Sequence, residues 1–131
     1  MSNDNDNGNG VAIEVIGPDN WEAHVAAPIS FLMLGKADCD HCTEWTTELK
    51  AFLASDEGNE FGGVTFGKML IETPGLGKFK KANPWLAGLS GLPHNLIYVN
   101  GEQQKDWSGK GLDRLVNRLR RFTSASTDEP A

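Results

Sequence analysis

The chain has 131 residues, of which 39% are hydrophobic, and its formal net charge is −6. This length suits one domain with one core, and no stretch approaches the roughly 18 consecutive apolar residues of a membrane span. The acidic balance argues against nucleic-acid binding, which favours basic surfaces. The first ten residues contain neither a basic nor an apolar region, so they lack the pattern of a secretory signal. We therefore expect a cytoplasmic monomer with no membrane partner and no nucleic-acid partner.

Both ends of the chain are polar. Residues 1–10 are mostly Asn, Asp and Gly, and they offer almost nothing to bury, so we expect a disordered N-terminal tail. The residues from 123 to 131 are likewise polar and predict a disordered C-terminal tail. The folded domain should then span residues 11–122.

The first half of the chain alternates predicted strands and helices. Val11–Ile16 predicts a strand that ends at Gly17-Pro18, and a short helix follows. Ile29–Leu34 is a nearly continuous apolar run, which is typical of a central strand buried on both faces. From Cys42 to Leu53 apolar residues recur at spacings of three and four, which predicts an amphipathic helix.

The second half of the chain predicts a strand, a partly helical stretch and a hairpin. Val64–Ile71 has the pattern of a third strand, and residues 76–88 are helical in part. Leu96–Val99 predicts the next strand. Asn100-Gly101 is a strong two-residue hairpin signal, so the chain should return as an antiparallel strand over Gln103–Trp107.

A last amphipathic helix is predicted over residues 112–122. Its apolar residues recur at helical spacing: Leu112, Leu115, Val116, Leu119 and Phe122. The segment is also basic, with Lys110, Arg114, Arg118, Arg120 and Arg121. Cations late in a helix complement its dipole, so a solvated face accounts for them better than a nucleic-acid site.

The element order is therefore β-α-β-α-β-α-β-β-α. A strand–helix–strand unit is followed, after a helix, by a hairpin and a closing helix. This order predicts an α/β fold with a central mixed sheet of four to five strands and helices on both faces.

The two cysteines of the chain, Cys39 and Cys42, are separated by two residues. Two cysteines are too few for a disulfide-stapled secreted scaffold. In a cytosolic protein such a pair is more often redox-active or metal-binding. A purely structural disulfide is a weaker interpretation, because a loop this short removes little entropy from the unfolded chain.

The position of Cys39 favours redox chemistry. It lies where a buried strand is predicted to end and a helix to begin. Unpaired amide groups and the helix dipole stabilise negative charge there, which lowers a thiol pKa and raises the fraction of nucleophilic thiolate. Cys39 is thus the expected nucleophile. Cys42 lies nearly one turn later on the same face and is the expected resolving thiol.

Three polar neighbours should tune the pair. A protonated or hydrogen-bonding His41 would stabilise the thiolate, and hence the reduced form, which makes the pair a stronger oxidant. The carboxylates of Asp38 and Asp40 oppose this. We expect a reduction potential somewhat more oxidising than that of a reducing thiol protein, held back by the two aspartates.

Two alternatives to catalysis stay open from the residues. One is a binding module whose cysteines do not take part in catalysis. The other is a metal or iron–sulfur site shared between two molecules, since a closed zinc site takes four ligands and His41 and His94 are the nearby candidates within one chain. We expect no metal and no bound cofactor beyond a redox-active Cys39–Cys42 disulfide.

Two separated segments resemble the thioredoxin-like family. Ala27–Leu34 leading to Cys39–Cys42 is similar to its central strand and active-site helix, and Gly91–Glu102 is similar to its cis-proline segment, next strand and hairpin. Val64–Glu72 matches its third strand. The resemblance covers residues 11–122 and implies the thioredoxin fold and a thiol–disulfide oxidoreductase.

The resemblance also implies roles for residues around the proline. Pro93 should be cis and pack against the cysteines, and the backbone of Leu92 should pair with an extended substrate. His94 is a candidate for tuning the sulfurs, or alternatively a polar residue at the strand edge. Trp107 is a candidate for contacting substrate, with core packing the stronger alternative. The implied partners are protein disulfide substrates and an electron donor, either a thioredoxin-reductase-like protein or glutathione.

Four positions depart from the pattern of the reducing members. Asp38 replaces their Trp, Asp40-His41 replaces their Gly-Pro, and Met33 stands where they have a buried Asp that accepts a proton from the resolving thiol. Lys68 matches their buried lysine but lacks that carboxylate as partner. The proton acceptor for the resolving thiol is then water, or Glu44 if its side chain turns inward.

Overall fold

The computed structural model describes residues 12–89 and 91–128, the last five of these for the backbone alone. Five strands form one sheet, and they are β1 Ile13–Ile16, β2 Ile29–Gly35, β3 Thr65–Leu70, β4 His94–Val99 and β5 Glu102–Ser108. Their order across the sheet is β1-β3-β2-β4-β5. β1, β2 and β3 run parallel, whereas β4 and β5 are antiparallel to their neighbours.

Four α-helices and two 3₁₀ turns complete the described part of the chain. The helices are α1 Trp21–Val25, α2 Asp40–Leu53, α3 Gly77–Ala82 and α4 Leu112–Asp128. The 3₁₀ turns lie at Glu57–Phe61 and Pro84–Gly88. None of the described helices has both the length and the apolar character needed to cross a bilayer.

The core lies in two layers, one on each face of the sheet. Side chains alternate along a strand, so Phe31 and Met33 of β2 point to one face and Leu32 and Leu34 to the other. The first layer is closed by α2 and α4, and the second by α1 and α3. Because both faces are covered, β2 is buried along nearly its whole length, as its apolar run predicts.

The structure confirms the predicted fold class and order of the elements. The mixed sheet has five strands, and helices cover both of its faces. Asn100 and Gly101 adopt φ values of 53° and 88°, the left-handed conformation that a tight two-residue hairpin turn requires. The 3₁₀ turn at Glu57–Phe61 is an addition that the sequence analysis did not predict.

Two helix boundaries differ from the prediction. α2 begins at Asp40, because Cys39 already caps it, rather than at Cys42. α4 continues to Asp128, beyond the predicted end of the domain at residue 122. Its last residues are Thr, Ser, Ala and Asp, none of which forces a helix to end, and the first proline after it is Pro130. The predicted N-terminal tail, residues 1–10, and residues 129–131 lie outside the described residues.

Candidate functional site

Cys39 and Cys42 form a disulfide at the N-terminus of α2, with their Cα atoms 5.2 Å apart. Cys39 is the N-cap residue, in an extended conformation with φ −145° and ψ 106°. Its Sγ accepts a hydrogen bond from the backbone N–H of Cys42 at 3.2 Å, and its carbonyl accepts one from Thr43 at 3.1 Å. The sulfur of Cys39 therefore occupies the position that a Ser or Asp side chain usually takes at a helix start.

The two sulfurs differ in accessibility. Cys39 is partly exposed, whereas Cys42 is fully buried. Cys42 packs against the end of β2, where a methyl group added at Gly35 would lie 3.1 Å from its Sγ. An incoming sulfur can therefore reach Cys39 but not Cys42. This difference in accessibility agrees with an attacking Cys39 and a resolving Cys42, and those two roles stay a prediction.

The charged residues around the disulfide point into solvent. Asp38, Asp40 and His41 are exposed. The Nδ1 of His41 lies 3.6 Å from Oε1 of Glu44, and no hydrogen bond or ion pair joins His41 to a sulfur within the described residues. The electrostatic feature in direct contact with the Cys39 sulfur is thus the helix N-terminus itself.

Glu44 belongs to a surface ion pair and does not face Cys42. Its Oε1 accepts a hydrogen bond from Nζ of Lys110 at 2.7 Å. This bond lowers the pKa of Glu44 and raises that of Lys110. This pairing argues against the alternative that Glu44 turns inward to take a proton from Cys42.

The surroundings of Cys42 are apolar on the side of β2. Met33 is fully buried there, and Thr46 Oγ1 donates to the Cys42 carbonyl at 2.8 Å. Lys68 is paired with Met33 across the sheet and is partly buried. Burial lowers the pKa of Lys68, and the charge of Lys50 lowers it further. Within the described residues, no hydrogen bond or ion pair brings a carboxylate to Lys68 or Cys42.

The segment before β4 lies at the same edge of the sheet as the disulfide. The Leu92–Pro93 peptide bond is cis, the isomer that the resemblance implies. The Pro93 carbonyl accepts a hydrogen bond from the N–H of Gly109 at 2.8 Å, which ties this segment to the end of β5. Leu92 and Cys39 both pack against the first core layer. Among the described residues, the N–H and C=O of Leu92 have no hydrogen-bond partner.

His94 lies on the face of the sheet away from Cys42. Its side chain is buried, with Nε2 2.8 Å from Oδ2 of Asp106 and Nδ1 3.0 Å from Oγ of Ser108. The indole of Trp85 packs against the ring at 5.5 Å between centroids. Both ring nitrogens are thus occupied on β5, which argues against the direct contact with the sulfurs that was one of two alternatives for His94.

Trp107 lies in the first core layer. Its side chain is 7% exposed and packs on Phe31, with the guanidinium of Arg118 4.7 Å above the ring. This burial argues against the substrate contact predicted for Trp107 and agrees with the alternative of core packing. It results from the alternation along β5, in which Trp107 and Asp106 point to opposite faces.

Asn95 is a structural residue of this region that the sequence analysis missed. Its side chain is fully buried, and its Oδ1 accepts a hydrogen bond from Nε1 of Trp45 at 2.8 Å. Its Nδ2 donates to the carbonyls of Trp107 and Gly109 at 3.2 and 2.9 Å. Asn95 therefore joins the helix that carries Cys42 to the strand that follows Pro93. The sequence signal was a polar residue directly before an apolar strand pattern, which the structure includes in β4.

Metal ligation has no candidate cluster in the part of the chain that the structure describes. No three or more His, Cys, Asp or Glu side chains come close enough together there to hold a metal ion. The expectation that the protein needs no cofactor stays a prediction.

Comparison with known proteins identifies the fold. No protein-family model matches the chain, and no curated protein sequence matches it. The structure is similar to spinach chloroplast thioredoxin f, with 14% identity, a TM-score of 0.68, and coverage of 85% of this chain and 86% of that one. It is also similar to a Halobacterium salinarum thioredoxin mutant, with 13% identity, a TM-score of 0.64, and coverage of 91% of this chain and 96% of that one. For Malassezia sympodialis thioredoxin the identity is 13% and the TM-score 0.65, with coverage of 86% of this chain and 91% of that one. The chain therefore has the thioredoxin fold, with its cysteine pair at the start of the second helix.

Proposed function

We propose that the protein is a thiol–disulfide oxidoreductase that acts on disulfides of other proteins. The observation that carries this proposal is the arrangement of the two sulfurs. Cys39 is accessible and sits at a helix N-terminus with an amide donor on its sulfur, while Cys42 is buried within bonding distance behind it. An amide hydrogen bond and the helix dipole both favour the thiolate over the thiol.

In the direction of substrate reduction, the Cys39 thiolate attacks one sulfur of the substrate disulfide. A Cys39–substrate bond forms, the substrate S–S bond breaks, and the second substrate sulfur leaves as a thiolate. Cys42 then loses its proton and attacks Cys39, which releases the first substrate sulfur and forms the Cys39–Cys42 disulfide. Two electrons pass from the protein to the substrate, and the reverse sequence oxidises a substrate dithiol.

We assign water as the acceptor of the proton that Cys42 loses. Met33 occupies the place where an acid would act, and Glu44 is held at the surface by Lys110. Water can enter beside Cys39 when the disulfide opens, since that sulfur is partly exposed. We expect the second step to be slower than in an oxidoreductase with a buried carboxylate, because no general base is positioned for it.

The free backbone of Leu92 supports an extended protein substrate. Its N–H and C=O have no partner among the described residues, and they lie before the proline at the edge of the sheet that carries Cys39. A substrate strand that pairs with Leu92 would hold its disulfide over the Cys39 sulfur. In the cytoplasm, a thioredoxin-reductase-like protein or glutathione would restore the dithiol.

Trapping of mixed disulfides tests the activity. A Cys42→Ser variant can form the bond to substrate but cannot resolve it, so it should accumulate covalent complexes that dithiothreitol releases. A Cys39→Ser variant is the matched control and should accumulate far fewer, because the remaining thiol is buried. If neither variant forms complexes and the wild type reduces no protein disulfide, the chain is a binding module with the same fold.

The reduction potential of the Cys39–Cys42 pair decides whether the protein reduces or oxidises its substrates. It is measured by equilibrating the protein with glutathione buffers and quantifying the free thiols. A value near about −270 mV would assign a reductase, and a value near about −180 mV would assign an oxidase or isomerase. The sequence alone favoured a more oxidising reduction potential, because His41 was expected to stabilise the thiolate. With His41 beside Glu44 rather than a sulfur, we expect its contribution to be small.

A further inference from the structure

A cleft between β5 and α4 is lined mainly by positive groups. Its volume is about 270 Å³. Its walls are Lys105, Arg114, Asn117, Arg118, Arg121 and Phe122. Four of these six side chains are cationic, and neither Asp nor Glu is among them. The cleft does not include the disulfide, so an inference from it is independent of the proposed function.

In the part of the chain that the structure describes, the cations of the cleft lack the acidic partners that a neighbouring cation has. On the same helix, Arg120 points away from the cleft and forms a two-pronged bond with Glu60, with both distances 2.8 Å. Within the described residues, no carboxylate lies within ion-pair distance of Lys105, Arg118 or Arg121. The acidic side chains that the structure describes therefore leave the charge of the cleft unneutralised.

Two of the arginines are fixed in place by uncharged groups. The guanidinium of Arg118 lies 4.7 Å above the Trp107 ring, and its buried Nη1 has no hydrogen-bond acceptor among the described residues. Nη2 of Arg114 donates to the carbonyls of Ser108 and Lys110 at 3.1 Å each. These contacts restrict both side chains without cancelling their charges, which reduces the entropy that a ligand must overcome.

The helix dipole does not account for this cluster. A position late in the last helix would account for the cations, but α4 continues to Asp128 and has no basic residue in its last turn. The dipole acts within the last turn, so Arg118 and Arg121 lie too early to benefit fully. Arg114 and Arg118 are four residues apart, a spacing at which like charges destabilise a helix. A bound anion would remove this repulsion.

We propose that the cleft binds a phosphate monoester. The phosphate would lie between the guanidinium groups of Arg118 and Arg121 and the ammonium of Lys105. Planar guanidinium groups match the spacing of phosphate oxygens, and paired N–H donors make charge-assisted hydrogen bonds to them. The ring of Phe122 gives the cleft one apolar wall, which suits the organic part of an ester better than free phosphate.

Calorimetric titration at constant ionic strength tests the proposal, with inorganic phosphate, phenyl phosphate and a phosphoserine peptide as probes. We expect phenyl phosphate to bind the wild type more tightly than inorganic phosphate. Lys105→Gln and Arg121→Gln should each weaken phenyl phosphate binding about tenfold, which is about 1.4 kcal/mol. Arg120→Gln is the matched control: it removes the same charge from the same helix outside the cleft and should change the affinity less than about twofold.

Circular dichroism of each variant, before titration, excludes loss of folding as the cause of weak binding. Absence of saturable binding of any probe to the wild type would overturn the proposal. So would equal weakening by Arg120→Gln, since the net charge of the protein would then suffice. The phosphoserine peptide shows whether the natural phosphate monoester belongs to a protein or to a small molecule. If the peptide binds more tightly than phenyl phosphate, the ligand is a phosphorylated protein. If the peptide binds more weakly, the ligand is a small molecule.

Discussion

Replacing Asn95 by Ala should destabilise the protein strongly, because one side chain satisfies three buried or partly buried groups. Its Oδ1 accepts from Nε1 of Trp45, and its Nδ2 donates to the carbonyls of Trp107 and Gly109. Alanine makes none of these bonds, and the fully buried site leaves little room for water to replace them.

The expected loss follows from the groups left without partners. A buried donor that loses its acceptor costs about 1–3 kcal/mol, which applies to the indole N–H of Trp45. Each carbonyl keeps a second lone pair, so we assign about 0.5–1 kcal/mol to each of the two. The sum is about 2–5 kcal/mol, a large part of the roughly 5–15 kcal/mol by which a domain is usually stable.

Urea denaturation of the disulfide-bonded protein, followed by circular dichroism, measures the loss. Asn83→Ala is the matched control, since Asn83 is partly buried and its amide makes a single bond to the Phe79 carbonyl, so we expect about 1 kcal/mol. A double-mutant cycle with Trp45→Phe isolates the bond to Asn95, with an expected coupling of about 1 kcal/mol. Equal losses for Asn95→Ala and Asn83→Ala, together with zero coupling, would refute the reasoning.

Three further predictions concern packing, pH and a buried hydroxyl. Gly35→Ala should cost about 1–3 kcal/mol in urea denaturation, because its methyl group would press on Cys42 Sγ at 3.1 Å, and Gly63→Ala, with nothing within 4 Å, should be nearly neutral. Burial lowers the pKa of His24 from its ordinary 6.5. The unfolded chain therefore binds a proton that the folded one resists, so stability should fall as the pH drops below 6.5; a His24→Leu variant with an unchanged pH slope would contradict this. Ser30 Oγ is buried without a partner among the described residues, so Ser30→Ala should raise the free energy of unfolding by about 1 kcal/mol; a loss of stability would argue against it.

The parts of the structure that the sequence predicted well depend on contacts between near neighbours in the chain. The apolar run of β2 reports burial on both faces, and the Asn100-Gly101 pair reports a turn that requires positive φ. The placement of Cys39 at a strand–helix junction follows from the change of hydrophobic period on either side of it. Each of these signals lies within a stretch of about ten residues, so it can be recognised from a single sequence.

The side-chain environment of the site could not be predicted in this way. Trp45 and Asn95 are 50 residues apart, and Glu44 and Lys110 are 66 apart. No local pattern relates such pairs, because their contact depends on how α2 lies against β4 and the end of β5. For the same reason His94 was open to two interpretations. Its direction depends on the residue at which β4 begins, and a shift of one residue moves a side chain to the other face.

The end of the last helix shows a different limit of prediction from sequence. Polar composition after residue 122 suggested a tail, yet α4 continues to Asp128. Polarity reports the absence of a buried face, and a helix can continue beyond its buried face until a proline or glycine ends it. That longer helix changed the interpretation of the basic residues, since Arg118 and Arg121 no longer lie in its last turn.

Residues 109–111, between β5 and α4, contact both the segment of the cis proline and the helix that begins at the disulfide. The N–H of Gly109 donates to the Pro93 carbonyl, and the Nζ of Lys110 donates to Glu44 on α2. Nη2 of Arg114 donates to the carbonyl of Lys110 in this segment and to that of Ser108 at the end of β5. Gly109 and Gly111 have φ values of 98° and 137°, which other residues rarely adopt, so the segment can take this path only with glycine at both positions. Residues that follow β5, about 70 positions after Cys39 in the chain, therefore help to fix the proline and the disulfide relative to each other. A search confined to the cysteine turn would miss them.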